Sequence, residues 1–169
     1  MWNRFILPKL GSQFNIKNNN IYPLLVTWVL VIFVPRWRHT PALTVIVPLI
    51  LAFVYTLVVI NSILIGRENG EALPDMTTFE GVVTLFQDPT GVFGGWIHYC
   101  VYDPLVGRWI ALDSVQRGAS TTFHILIMVP VLLLSMFLPP SGWLLYMIVV
   151  RPFLLLFSDT GNIKSAKQE

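Results

Sequence analysis

The stretch from Trp96 to Asp113, WIHYCVYDPLVGRWIALD, holds the side chains with the most chemistry in this chain. His98, Asp103 and Arg108 follow at five-residue intervals, and Asp113 stands at the next. A histidine and a carboxylate can pass protons near neutral pH, and a guanidinium can hold a carboxylate or a developing oxyanion. On a regular helix each five-residue step turns about 140°, so the four do not share one stripe. Pro104 removes the N–H that would meet the Cys100 carbonyl and disfavours helical geometry at Asp103. A kink or local unwinding there is the expected route by which Asp103 could meet Arg108. Three readings stay open: a buried Asp103–Arg108 pair that fixes packing, an acid/base pair of Asp103 and His98, and a pigment or haem on His98 or an ion path.

The elements that must position these groups are apolar. Of 169 residues, 54% are hydrophobic and 12% charged, with a mean hydropathy of +0.66; a soluble domain carries about 25% charged residues. The expectation is an all-α, polytopic membrane bundle forming one domain over residues 21–157. Ile21 to Val34 is a short first run, PRWRHTP a turn suited to a headgroup layer, and Leu43 to Ile65 a run long enough to span. Residues 66–91 form the polar connection, within which Thr77-Thr78-Phe79-Glu80 opens a short amphipathic helix ended by Asp88-Pro89. Val92 to Leu112 is the third span. The apolar tract from Ile125 to Phe157 is too long for one crossing and breaks at Pro139-Pro140, because consecutive prolines stop a helix. That makes four to five membrane helices.

The remaining features bound the function. Residues 1–20 are basic and free of acid, and read as an interfacial or disordered terminus; residues 158–169 read as a polar tail. The net charge of +2 is too small for a nucleic-acid partner, and membrane lipid is the expected one. Cys100 is the single cysteine, so no intrachain disulfide and no cysteine metal cluster is expected. His98 and His124 fall near opposite membrane faces, roughly 20 Å apart by helical rise, too far to share one haem iron. His124 reads as an interfacial residue, and the tryptophans as belt or packing residues. The basic N-terminus and the PRWR turn flank the same short span, so the positive-inside rule leaves the orientation open. Gly94, Gly95 and Gly107 let a neighbouring helix or a ligand come close.

Trp96-Ile97-His98, Asp103 and Arg108, in the pattern W-I-H-x4-D-x4-R, resemble the abscisic acid-deficient 4-like family of small membrane proteins. The likeness extends to PRWRHT after a short first span, the phenylalanine-bearing amphipathic stretch and the Pro/Gly break in the last tract, about residues 21–157. Pro104 departs from it, standing where an aliphatic residue is expected. Plant members are associated with making neoxanthin from violaxanthin in plastid membranes. The resemblance therefore implies an integral, multi-pass membrane protein, in a plastid membrane where the host is photosynthetic, with a carotenoid as partner and with no cofactor or metal. It implies an epoxy-carotenoid isomerase in which His98, Asp103 and Arg108 are catalytic and Trp96, Tyr102 and Gly107 touch the substrate. The alternative is a non-catalytic pigment-binding or accessory subunit, as a homo-oligomer or within a membrane complex.

Overall fold

The computed structural model describes residues 22–69 and 74–156. The N-terminal segment 1–20, the tail 158–169 and the middle of the polar connection, 70–73, lie outside the described residues. Among the described residues the secondary structure is entirely helical. The order is α1 (Tyr22–Phe33), α2 (Thr40–Asn69), α3 (Phe79–Gln87), α4 (Pro89–Gln116), α5 (Thr121–Phe137) and α6 (Pro139–Leu156). The expected boundaries shift in two places. Helix α2 runs through Asn69, into what reads as polar connection, and α4 is unbroken across Pro104. A helix loses one hydrogen bond at a proline, and here the fully buried Pro104 ring is held by packing.

Two helices are long and apolar enough to cross a membrane, Thr40–Leu64 within α2 and Pro139–Leu156. Helices α1 and α5 are apolar but shorter, and α4, at 28 residues, has the length without the composition because of its polar side chains.

The breaks have local causes. After α1, the Val34 carbonyl accepts from Trp37 N–H at 3.2 Å and from Thr40 Oγ1 at 2.6 Å, which closes the turn and starts α2. The Thr78 hydroxyl caps α3 by accepting from Gly81 N–H at 3.1 Å. Asp88 serves two helices: its N–H donates to Leu85 O at 3.3 Å to end α3, and its carboxylate accepts from Thr90 N–H at 3.1 Å to open α4. Helix α4 ends at Gly118, whose φ of 76° suits glycine; Ala119 N–H reaches back to Ser114 O and Gly118 N–H to Val115 O, the Schellman pattern. Leu138 leaves helical geometry at φ −136°, and Pro139 and Pro140 fill the first turn of α6, where their missing N–H groups cost nothing. The break expected in the last apolar tract is therefore present.

Inside α5 and α6 the bonding widens to i→i+5 over His124–Met128 and Tyr146–Val150. Each π turn is centred on the carbonyl that a proline four residues on would clash with: Leu126 before Pro130, and Ile148 before Pro152. Widening the turn is the local answer to the proline ring.

The described residues divide into two compact units, 22–23 with 47–69 and 74–101, and 24–46 with 102–156. In the first, Gly95 lies against the Phe86 ring, setting α3 on α4, and the His98 ring meets Tyr55 edge-on at 5.7 Å. The second holds a buried core of Trp28, Val31 and Ile32 from α1, Ile110 and Ala111 from α4, Met128 and Leu132 from α5, and Tyr146 and Val150 from α6. Gly107 lies under the Trp28 ring, and Gly142 lies against the backbone of Ser135, which draws α5 and α6 into a close hairpin.

Because the Ser135 backbone cannot move aside, Gly142→Ala should cost about 1–3 kcal/mol, whereas Gly94→Ala, with nothing near its added methyl, should be neutral or slightly stabilising. Thermal unfolding of both variants in detergent checks this; equal shifts would contradict the hairpin packing.

Candidate functional site

The expected site residues sit on α4. His98 is exposed and Asp103 half-buried. Trp96, Tyr99, Tyr102 and Trp109 are 57%, 59%, 55% and 40% exposed. At about 100° per residue, Asp103 falls between Trp96 and Tyr99 around the axis, and His98 falls beside Tyr102 and Trp109. Thus α4 offers an aromatic rail with an acid and an imidazole on its flanks. Arg108 turns elsewhere: Nε and Nη2 donate to the Pro41 carbonyl at 3.2 and 2.9 Å, tying α4 to the first turn of α2. Of the two occupants that Gly107 can admit, a helix stands there, through Trp28.

A denser polar cluster, missed in the sequence reading, gathers around the next acid in the five-residue series. Arg117 grips Asp113 with two bonds, Nε to Oδ2 at 2.7 Å and Nη2 to Oδ1 at 3.0 Å. Tyr146 Oη donates to Oδ2 at 2.6 Å and Arg151 Nε to the same oxygen at 3.2 Å. The Arg151 guanidinium also lies 5.9 Å from the centre of the Trp109 ring, whose edge-on partner is Tyr146 at 5.8 Å. Four donated hydrogen bonds leave Asp113 little capacity to take a proton from a substrate, and Tyr146 is fully buried. The arrangement joins α6 to the end of α4 and fixes two cations.

The π turn makes this possible. Tyr146 and Arg151 are five residues apart, a spacing that points away from a common partner on an α-helix; an i→i+5 turn brings residue i+5 back over residue i. Both then face Asp113.

His124, read as interfacial, is 3% exposed, so that expectation is corrected. Its Nε2 lies 2.8 Å from Ile32 O, and since a carbonyl only accepts, Nε2 carries the hydrogen. The bond ties α5 to the last turn of α1 and compensates for burying the ring. Among the described residues no group of three His, Cys, Asp or Glu side chains could hold a metal ion. Outside the apolar helices, Asp75 is held below the usual carboxylate range by the Thr77 hydroxyl and N–H, a turn that precedes the α3 cap.

The model of the ABA DEFICIENT 4-like family matches residues 14–146, more than half of the chain, and the chain belongs to that family. No curated protein and no solved structure matches it.

Tyr146→Phe removes one hydrogen bond to a charged acceptor and should cost about 1.5–3 kcal/mol. Asp113→Asn leaves two partly exposed guanidiniums without a counter-ion and should cost at least as much, about 2–3 kcal/mol. Thermal unfolding in detergent reads both; a Tyr146→Phe protein as stable as the parent would remove the cluster from its anchoring role.

Proposed function

We propose that this ABA DEFICIENT 4-like protein is an integral, multi-pass membrane protein that isomerises an epoxy-carotenoid to an allene without a cofactor. The observation that carries the reading is the exposed aromatic rail of α4, with His98 and Asp103 beside it. A long, rigid polyene approaching from the lipid phase would lie along Trp96, Tyr99 and Tyr102. Helix α4 runs unbroken through Pro104 and leaves His98 and Asp103 about 140° apart on the two flanks of that rail, so its end group would have to reach between them.

The membrane reading is supported by what α2 and α6 leave uncovered. Only 17% and 22% of their apolar windows are buried, which is unlike the core helix of a soluble protein. Along α2, Leu43, Ile46, Ile50, Phe53, Leu57, Ile60 and Leu64 keep a three–four spacing and are all exposed; soluble monomers rarely show an apolar surface of that extent. Helices α1, α4 and α5 would complete a bundle of five spans beside α2 and α6, the short ones matched by local thinning of the bilayer. In a photosynthetic host the membrane would be that of a plastid.

The reaction balances without a redox partner. A base removes a carbon-bound proton, the released pair forms the new carbon–carbon double bond, and the epoxide C–O bond breaks. An acid then protonates the departing oxygen to an alcohol. His98 and Asp103 take these two roles in an environment poor in water, where proton transfer and charge interactions are strong. Arg108, fixed on the Pro41 carbonyl and about 140° around the axis from Asp103, would act at a distance, holding α4 in place rather than touching the carboxylate or the alkoxide.

Membranes containing the protein and supplied with violaxanthin should form the allenic isomer, and Asp103→Asn should slow this by about 100-fold or more. Unchanged conversion at normal protein level would remove Asp103 from the chemistry. Pigment retained by the purified parent protein but never converted would favour the accessory-subunit reading instead.

A further inference from the structure

We propose that the end of the second unit bearing Arg36, Arg38, Arg117 and Arg151 is a binding site for the phosphate of an anionic membrane lipid; this rests on the membrane reading above. The four arginines come from three distant parts of the sequence. The turn after α1 carries Arg36 and Arg38, and Arg36 Nη2 donates to the Ala119 carbonyl in the loop that follows α4. Arg117 stands two residues before Ala119, at the start of that loop. Arg151 joins them through Asp113, and the Phe123–Phe153 stack, 5.8 Å between centroids, confirms that the end of α6 lies beside the start of α5.

Charge at this end is one-sided. This end carries four guanidiniums and one carboxylate, a surplus of three positive charges among the described residues: Arg117 and Arg151 pair with Asp113, while Arg36 donates to the Ala119 carbonyl and Arg38 to the His39 ring. The other end of the hairpin, Phe137 to Gly142, carries no charged residue. Nor is the surplus absorbed inside. Asp113 engages Nε and Nη2 of Arg117 but only Nε of Arg151, so both Arg151 Nη groups and Arg117 Nη1 remain available, on side chains 31% and 21% exposed. Asp113 thus acts as a clamp that holds two planar donors in place, the geometry that favours a phosphate over a point-like anion.

Apolar neighbours select a lipid over a free anion. The basic end adjoins exposed Leu43 and Ile46 at the start of α2, Ile125 and Leu126 at the start of α5, and Leu156 at the end of α6. A ligand that puts a phosphate on the arginines would lay its hydrocarbon along these residues. Trp37 and Trp109, both partly exposed, would then meet the headgroups with their indoles. Free phosphate would use none of this surface.

The test is retention of lipid by the full chain purified in mild detergent, read by native mass spectrometry after incubation with vesicles of phosphatidylglycerol or of phosphatidylcholine. Phosphatidylglycerol should be retained at least about tenfold better. At roughly fivefold per arginine near a charged surface, Arg151→Gln should lower that retention about fivefold, and Arg117→Gln with Arg151→Gln about 25-fold. The paired lysine variant should recover most of it. Arg151→Gln removes only the longest bond to Asp113, so it keeps the test usable if the double variant unfolds.

Equal retention of the two lipids by the parent protein would overturn the proposal. So would full phosphatidylglycerol retention by Arg151→Gln protein that elutes like the parent, or displacement of the lipid by inorganic phosphate alone. Alkaline extraction of cell membranes separates the two levels of inference: release of the chain into the aqueous fraction would end the membrane reading itself, whereas a chain that stays in the membrane without lipid preference would end only this one.

Discussion

A carboxylate in an apolar chain must be matched by donors, and Asp113 meets that requirement with hydrogen bonds from Arg117, Tyr146 and Arg151. Much of the second unit follows from it. The bonds join the last turns of α4 to α6, place the fully buried Tyr146 ring against Trp109, and make the α5–α6 hairpin part of one core with α1 and α4. Replacing the four groups by hydrocarbon would pack as well, but it would not specify which turn of α6 meets which turn of α4. Directional bonds to one acceptor fix that choice.

The same economy of polar contacts recurs wherever helices meet in this unit. Arg108 reaches the Pro41 carbonyl, Arg36 the Ala119 carbonyl and His124 the Ile32 carbonyl. Each of these three bonds runs from a side chain to a backbone oxygen near a helix end. Such oxygens have spare lone pairs, so a basic side chain is satisfied without a buried counter-ion. The polar side chains of α4 thus divide along its length: Asp113 anchors at its end, while His98 and Asp103 stand in its middle beside aromatic rings.

What could be read from the sequence was local. The turn at Pro35, the short helix opened at Thr77-Thr78 and ended at Asp88-Pro89, and the stop at Pro139-Pro140 each depend on residues within a few positions of one another, and each is where the residue types imply. The five-residue series was also visible, but its meaning was not. Spacing along α4 shows five residues diverging and, at most, the i,i+4 pairing of Asp113 with Arg117; the other two partners lie 33 and 38 residues away on a helix whose local winding is different. His124 was misplaced for a related reason: an isolated histidine at the start of an apolar tract resembles an interfacial residue until the Ile32 carbonyl, 92 positions earlier, is placed beside it. Pro104 was expected to distort α4, yet the helix runs through it, because tertiary packing outweighs one missing bond.

The π turns before Pro130 and Pro152 also bear on how the chain tolerates change in length. Each behaves as one extra residue accommodated in an otherwise α-helical path. Removing one residue from Met147–Val150 would let the helix close to ordinary winding, and the arginine would then stand four residues from Tyr146 instead of five, still over it and still facing the carboxylate. Outside the π turn there is no such slack, and a one-position gap there would turn everything after it by about 100° without any donor having been mutated.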